Sequence, residues 1–316
     1  MRRPCAPARR RLGIRPARTG AWRYRRTGRA RARRRYVKRL RLSAVRPRLT
    51  STTTIGDPVT RRARSADWDY GELSARVYEL DKPAGRSLGG DVEFYTRRLG
   101  AVTGEILEPA VGTGRMLVPL LRHGLRVTGY DTSEHMLRIC RDNLAAAGLE
   151  ADVFIGDMTA YTKPGVYEAI LVPTGSIVLV PDRDAAVRAL RCMHESLRPG
   201  GRLFVDVPPP RLLTGPGALR HWQDGDSELL ILQTMHVDLD EVNQRVVRWL
   251  RYELWREGRL VETQLQNSPM LCFGAQEFRM LLREAGFTDV AVYGDYDEDA
   301  ELAADASIWT FEAVRA

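Results

Sequence analysis

The sequence predicts an α/β fold: a doubly wound parallel sheet with helices on both faces, followed by a three-stranded antiparallel β insertion. Three observations carry this expectation. Between residues 105 and 207 short apolar runs alternate with helix-length amphipathic stretches, the spacing of βαβ units. Glycines close those helical stretches at Gly124, Gly148 and Gly200. Residues 226–272 then abandon the alternation for three strand-like runs separated by the polar turns DLDEVNQ and EGR.

The elements follow in order. Residues 67–80 (DWDYGELSARVYEL) read as a helix with Leu73, Val77 and Leu80 on one face, and 91–99 as a second, short helix. Strands are expected at 105–108, 126–130, 151–155, 168–172 and 202–207. Helices are expected between them at 115–123, 133–147 and 183–197, the second carrying Met136, Cys140, Leu144 and Ala147 on one stripe. Pro119 lies inside the first of these helices and is expected to kink it. The insertion supplies strands at 228–237, 245–255 and 259–266. A helix at 276–285 and strands near 289–293 and 307–313 close the chain. Right-handed crossovers make the parallel part a Rossmann-like sheet, whose ligands bind past the carboxyl ends of the strands where the strand order reverses.

Charge divides the chain of 316 residues into two parts. Residues 1–64 carry 23 Lys and Arg against one acid, Asp57, whereas the remainder carries 39 acids against 26 bases. The net charge of +9 therefore describes neither part. The basic part has no helix or strand period and is expected to be a disordered, Arg-rich tail ahead of a single domain at 65–316. It reads as an inert tail or as the product of a start codon placed too early, in preference to a nucleic-acid tether or a targeting peptide. Cys5, Cys140, Cys192 and Cys272 form no CxxC pair and no metal-ligand spacing with histidine, so neither a disulfide framework nor a metal site is expected. The most apolar run, 169–181, contains Pro173 and is shorter than the roughly 20 residues a membrane helix requires. A cytoplasmic protein without membrane contact is the expectation.

The stretch EPAVGTGRM (108–116) stands where the first strand of the alternation ends. A dinucleotide loop of the form GxGxxG fails here, because its third glycine would fall on Leu117 or Arg115. No GxxxxGK[ST] phosphate loop exists anywhere in the chain. Glu108 would repel a pyrophosphate and attract a cation. Gly112 and Gly114 would let a ligand approach the backbone closely. S-adenosylmethionine carries an ammonium and a sulfonium and no phosphate, so it suits this loop better than NAD. Asp131, in GYDTS, ends the second strand and can take both ribose hydroxyls, or can cap the next helix, a role open also to Thr132 or Ser133. Asp157, in IGDM, can accept from an adenine amino group while Met158 packs on the ring.

Taken together, EPAVGTGR (108–115), GYDTS (129–133), GDM (156–158), VPTGS (172–176) and LRPGG (197–201) resemble the class I S-adenosylmethionine-dependent methyltransferases, in order over about residues 67–314. The resemblance implies that Glu108 faces the methionine ammonium and that Ala110, Gly112 and Gly114 line that moiety. It further implies that Asp131, with Thr132, holds the ribose, and that Asp157 and Met158 hold adenine. Tyr78, from a helix folding over the cofactor, and Pro173 complete the expected cofactor contacts. Ala110 stands where the family usually has glycine.

No catalytic residue is identified, because a sulfonium is already activated and the enzyme chiefly aligns the acceptor. Tyr95 and Ser176 are the expected substrate-side residues, with Tyr70 a further aromatic candidate. His194 reads as structural, while His221 and His236 are candidate bases. The insertion resembles the β lid of small-molecule methyltransferases, with Trp249, Tyr252, Trp255 and Phe273 available to wall an apolar pocket or to form a homodimer interface. The expected acceptor is therefore N or O of a small molecule, possible in secondary metabolism. Nucleic acid is disfavoured: VPTG stands where a [DN]PPY motif would be, and the globular part is acidic. The rival readings are a nucleic-acid or protein methyltransferase that uses the tail, and a non-catalytic or NAD-binding Rossmann-like protein.

Overall fold

A computed structural model describes residues 70–299 and 302–316. The expectations for residues 1–64 lie outside the described residues. Seven strands form the main sheet in the order β10-β11-β5-β4-β1-β2-β3. β1 (Glu105–Pro109), β2 (Arg126–Asp131) and β3 (Val153–Ile155) step outward in one direction. β4 (Tyr167–Val172) and β5 (Leu197–Val207) step in the other, and all five are parallel. β10 (Phe287–Gly294) and β11 (Trp309–Arg315) complete the sheet in antiparallel pairing. The order therefore reverses between the neighbours β1 and β4, and the loops that follow these two strands face one another across the resulting crevice.

The strands look as a doubly covered sheet requires. In β4 (YEAILV) every residue but Glu168 is buried. Ile170 and Val172 join a core with α5 (Arg183–Ser196) and α6 (Ala275–Glu284) on one face. Ala169 and Leu171 join a second core on the other face, with α2 (Asp91–Leu99), α3 (Leu117–Arg122) and α4 (Glu134–Ala147). α4 starts where Ser133 accepts from Met136 N and stops at Gly148, whose φ of 65° suits a residue without Cβ. Pro119 does not kink α3. The helix begins at Leu117, two residues later than expected, so Pro119 lies in its first turn, where the missing N–H has no intrahelical acceptor to lose.

The insertion has four strands rather than three: β6 (Arg220–Asp224), β7 (Glu228–Asp240), β8 (Arg245–Arg256) and β9 (Arg259–Leu271), antiparallel and in sequence order. β6 (RHWQD) is short and mostly polar, so it carries no alternation by which it could be read. α1 (Glu72–Asp81) packs Leu73 and Val77 against Leu230, Leu232, Tyr252 and Leu254 of this second sheet. Arg76 of α1 adds ion pairs of 2.6 Å to Asp224 and to Glu228. A small core of its own thus holds the second sheet and α1 together.

Candidate functional site

The loop after β1 is built from left-handed backbone: φ is 55° at Ala110, 58° at Gly112 and 83° at Gly114. An alanine in this region is strained by roughly 1–2 kcal/mol, and Ala110 is the position where the sequence departs from glycine. Asp131 fixes the loop from the end of β2. Its Oδ2 accepts from Gly112 N and its Oδ1 from Ser133 N, both at 3.0 Å. One carboxylate thus holds the glycine turn and the start of α4 in register.

Glu108 is 2% exposed, and its Oε2 has no hydrogen-bond partner. Burial pushes its carboxyl up to about 8, with Asp131 and Asp91 adding to the rise and Arg115 opposing it. An unsatisfied buried acid is costly unless a ligand completes it, and a cationic ligand group would do so. Arg115 is otherwise committed: it donates to Asp91 at 2.6 Å, to Thr174 Oγ1 at 2.6 Å and to Arg86 O at 2.9 Å.

The structure gathers most of the residues expected at the cofactor. A cavity of about 250 Å³ is lined by Ala110, Gly112, Asp131, Thr132, Asp157 and Met158. Tyr78 and Ser176 line it as well. Met136 and Leu179 also line it, two apolar residues that no sequence motif marks for this role.

Other expected residues lie elsewhere. Gly114 does not reach the cavity: a Cβ there would stand 2.9 Å from Cys140 Sγ, so packing against α4 requires this glycine. Glu108 and Pro173 are buried next to the cavity and do not form its wall. Tyr95 is not on the substrate side. It is fully buried in the core and donates to Asp206 at 2.6 Å.

Residues 106–201 match the family model of the methyltransferase domain. These residues therefore form a methyltransferase domain, in line with a class I S-adenosylmethionine-dependent methyltransferase. It is 24% identical over 212 residues to the putative methyltransferase YqeM of Bacillus subtilis, covering 66% of this chain and 83% of that one. A crystal structure of an S-adenosylmethionine-dependent methyltransferase from Clostridium acetobutylicum shares the fold, with a TM-score of 0.62 at 15% identity over 76% of this chain and 96% of that one. So does CalS10, an amino pentose methyltransferase from Micromonospora echinaspora, with a TM-score of 0.58 at 15% identity over 78% of this chain and 98% of that one.

A second cavity of the methyltransferase, about 580 Å³, lies between α1, the loop after β4 and the β6–β9 sheet. It meets the first cavity at four shared residues: Tyr70, Tyr78, Ser176 and Leu179. Burial pushes the Tyr78 phenol up to about 12, against the opposing pull of Arg115, so the hydroxyl stays protonated at neutral pH.

The loop after β4 owes its shape to a buried carboxylate. Thr174 has φ 60°, an outlier for a β-branched residue, and its N–H donates to Asp206 at 2.8 Å. Asp206 accepts also from Tyr95, Tyr296 and Thr310. The chain Asp91–Arg115–Thr174–Asp206 thus ties the loop after β1 to the loop after β4.

The remaining candidates sort clearly. His194 stacks edge-on against Phe287 at 5.0 Å, and burial lowers its pKa, as suits a structural residue. His221 and His236 are exposed, and His236 pairs with Asp238 at 2.7 Å. Of the insertion's expected aromatic wall only Tyr252 lines the second cavity. Trp249 and Trp255 bond Asp238 and Glu253, and Phe273 packs in the main core.

Proposed function

We propose that this methyltransferase transfers a methyl group to N or O of a small molecule seated in the second cavity. The observation that carries the reading is the junction of the two cavities at Tyr70, Tyr78, Ser176 and Leu179. A donor in the first and an acceptor in the second would meet there, enclosed by α1 and the lid sheet. S-adenosylmethionine supplies the activated methyl sulfonium. Glu108 receives its ammonium, Asp131 its ribose hydroxyls, and Asp157 with Met158 its adenine, while Gly112 keeps the backbone clear.

The second cavity is of small-molecule size. Its lining includes no histidine among the described residues, and its carboxylate Asp81 already pairs with Arg220 at 2.7 Å. Such a cavity suits an amine, whose lone pair needs no strong base. The amino pentose methyltransferase among the structures of the same fold accords with that choice.

Two variants test the cofactor assignment. Asp131→Ala removes the ribose acceptor and the anchor of Gly112. Gly112→Val puts a β-branched residue at φ 58°, with its Cβ 3.6 Å from Met136 Cε. Each is expected to lower affinity for S-adenosylhomocysteine by roughly ten- to a hundredfold by calorimetry, with an unchanged circular dichroism spectrum. Wild-type affinity in both variants would refute the assignment.

A further inference from the structure

The second cavity is electrically unlike the first. Three acids, Glu108, Asp131 and Asp157, lie in or beside the first cavity against one cation, Arg245. Three cations, Lys82, Arg220 and Arg248, line the second against the single carboxylate of Asp81. Arg220 is paired with that carboxylate. Lys82 lies 5.0 Å from the centre of the Tyr78 ring, where burial lowers its pKa.

Arg248 is the unusual member. Strand alternation places it on the cavity side of β8 with Val246, Leu250 and Tyr252, an otherwise apolar face. Its Nη2 donates to Gly215 O at 3.3 Å, while its Nε is buried without any partner. Burial lowers its pKa, Arg220 lowers it further, and no carboxylate raises it. Two other arginines of the same strand are balanced: Arg251 meets Glu253 at 3.0 Å and Arg256 meets Glu228. A half-buried guanidinium without a counter-charge costs stability unless something else completes it. Ser268 stands directly across from it on β9 and also lines the cavity.

We infer that the acceptor carries an oxyanion, a carboxylate or a phosphate, which docks on the Arg248 guanidinium beside Ser268 while its nucleophile reaches the cavity junction. The planar fork of arginine matches both groups. The cations serve a second end: a positive surrounding lowers the pKa of an acceptor amine and keeps its lone pair free. This inference rests on the proposed function, since it assigns the acceptor end of the same cleft.

The test uses the full chain saturated with S-adenosylhomocysteine, and Arg248→Met beside it. Without added anion the variant is expected to melt above wild type, because an uncompensated buried charge has been replaced by an apolar side chain of similar length. Inorganic phosphate or acetate is then titrated at constant ionic strength. At least one is expected to raise the wild-type melting temperature saturably, and to leave that of the variant unchanged. A response to phosphate alone indicates a phosphorylated acceptor, and a response to acetate alone a carboxylate. Should Arg248→Met fail to fold, Arg248→Lys serves in its place, with a saturation midpoint at least fivefold weaker than wild type. Equal responses in wild type and variant, or none in either, overturn the inference. Affinity for S-adenosylhomocysteine alone separates the two readings: if it is absent, the proposed function itself fails.

Discussion

Replacing Glu108 with glutamine is expected to weaken S-adenosylhomocysteine binding by roughly ten- to a hundredfold, the worth of one charge-assisted hydrogen bond. The same change is expected to stabilise the ligand-free protein at alkaline pH. Burial raises the folded-state pKa of Glu108 from 4.5 to about 8, so the folded protein binds this proton more tightly than the unfolded chain. Stability from this group is therefore greatest below pH 4.5, falls as pH rises towards 8, and is level above. Glutamine carries no such charge, and the advantage of Glu108→Gln over wild type at pH 9 is on the order of a few kcal/mol. Melting curves of the two proteins between pH 5 and 9 check this. They should diverge as pH rises, and parallel curves would contradict it. Glu108 would then exemplify a residue kept for its ligand at the expense of the fold.

Removing Asp206 is expected to be the most damaging single change outside the ligand cavities. Four donors converge on its carboxylate: Tyr95, Tyr296, Thr310 and the N–H of Thr174. Burial raises its pKa, and these four hydrogen bonds oppose the rise. Asp206→Ala leaves the buried hydroxyls of Tyr95, Tyr296 and Thr310 without their acceptor and releases the Thr174 N–H, for a loss of about 3–5 kcal/mol. In a domain of this size that lowers the melting temperature by roughly 10 °C. The effect reaches the site as well, because Thr174 loses the hydrogen bond that holds its left-handed backbone at the edge of the second cavity. A loss below about 2 °C would show that the cluster does not carry the loop.

The parallel half of the fold was legible because its strands are continuous apolar runs and its helices end on glycine, so local chemistry and global topology agree. The residues of the first cavity were legible for a related reason. Asp131, Thr132, Asp157 and Met158 follow strand ends, and topology alone brings strand ends to the crevice. What the sequence did not show depends on side-chain direction and on long-range partners. Gly114 and Gly112 look alike in GTG, yet one turns towards Cys140 and the other lines the cavity. Tyr95 sits on a helix beside the site, but its partner Asp206 is 111 residues away. β6 is too short and too polar to announce itself. Arg248 left one trace, a lone cation on the apolar face of Val246, Leu250 and Tyr252, and only the fold shows that this face looks into a cavity.

The proposed cofactor site turns on a buried, largely protonated Glu108 that receives the ammonium. Calorimetric titration of the full chain with S-adenosylhomocysteine at pH 7, in two buffers of different ionisation enthalpy, tests it most directly. Binding should release about one proton, since a carboxyl titrating near 8 must ionise to meet the ammonium. The measured heat should therefore differ between the buffers for wild type but not for Glu108→Gln, and NAD should give no heat. Buffer-independent heat in wild type, or binding of NAD in place of S-adenosylhomocysteine, would contradict the account.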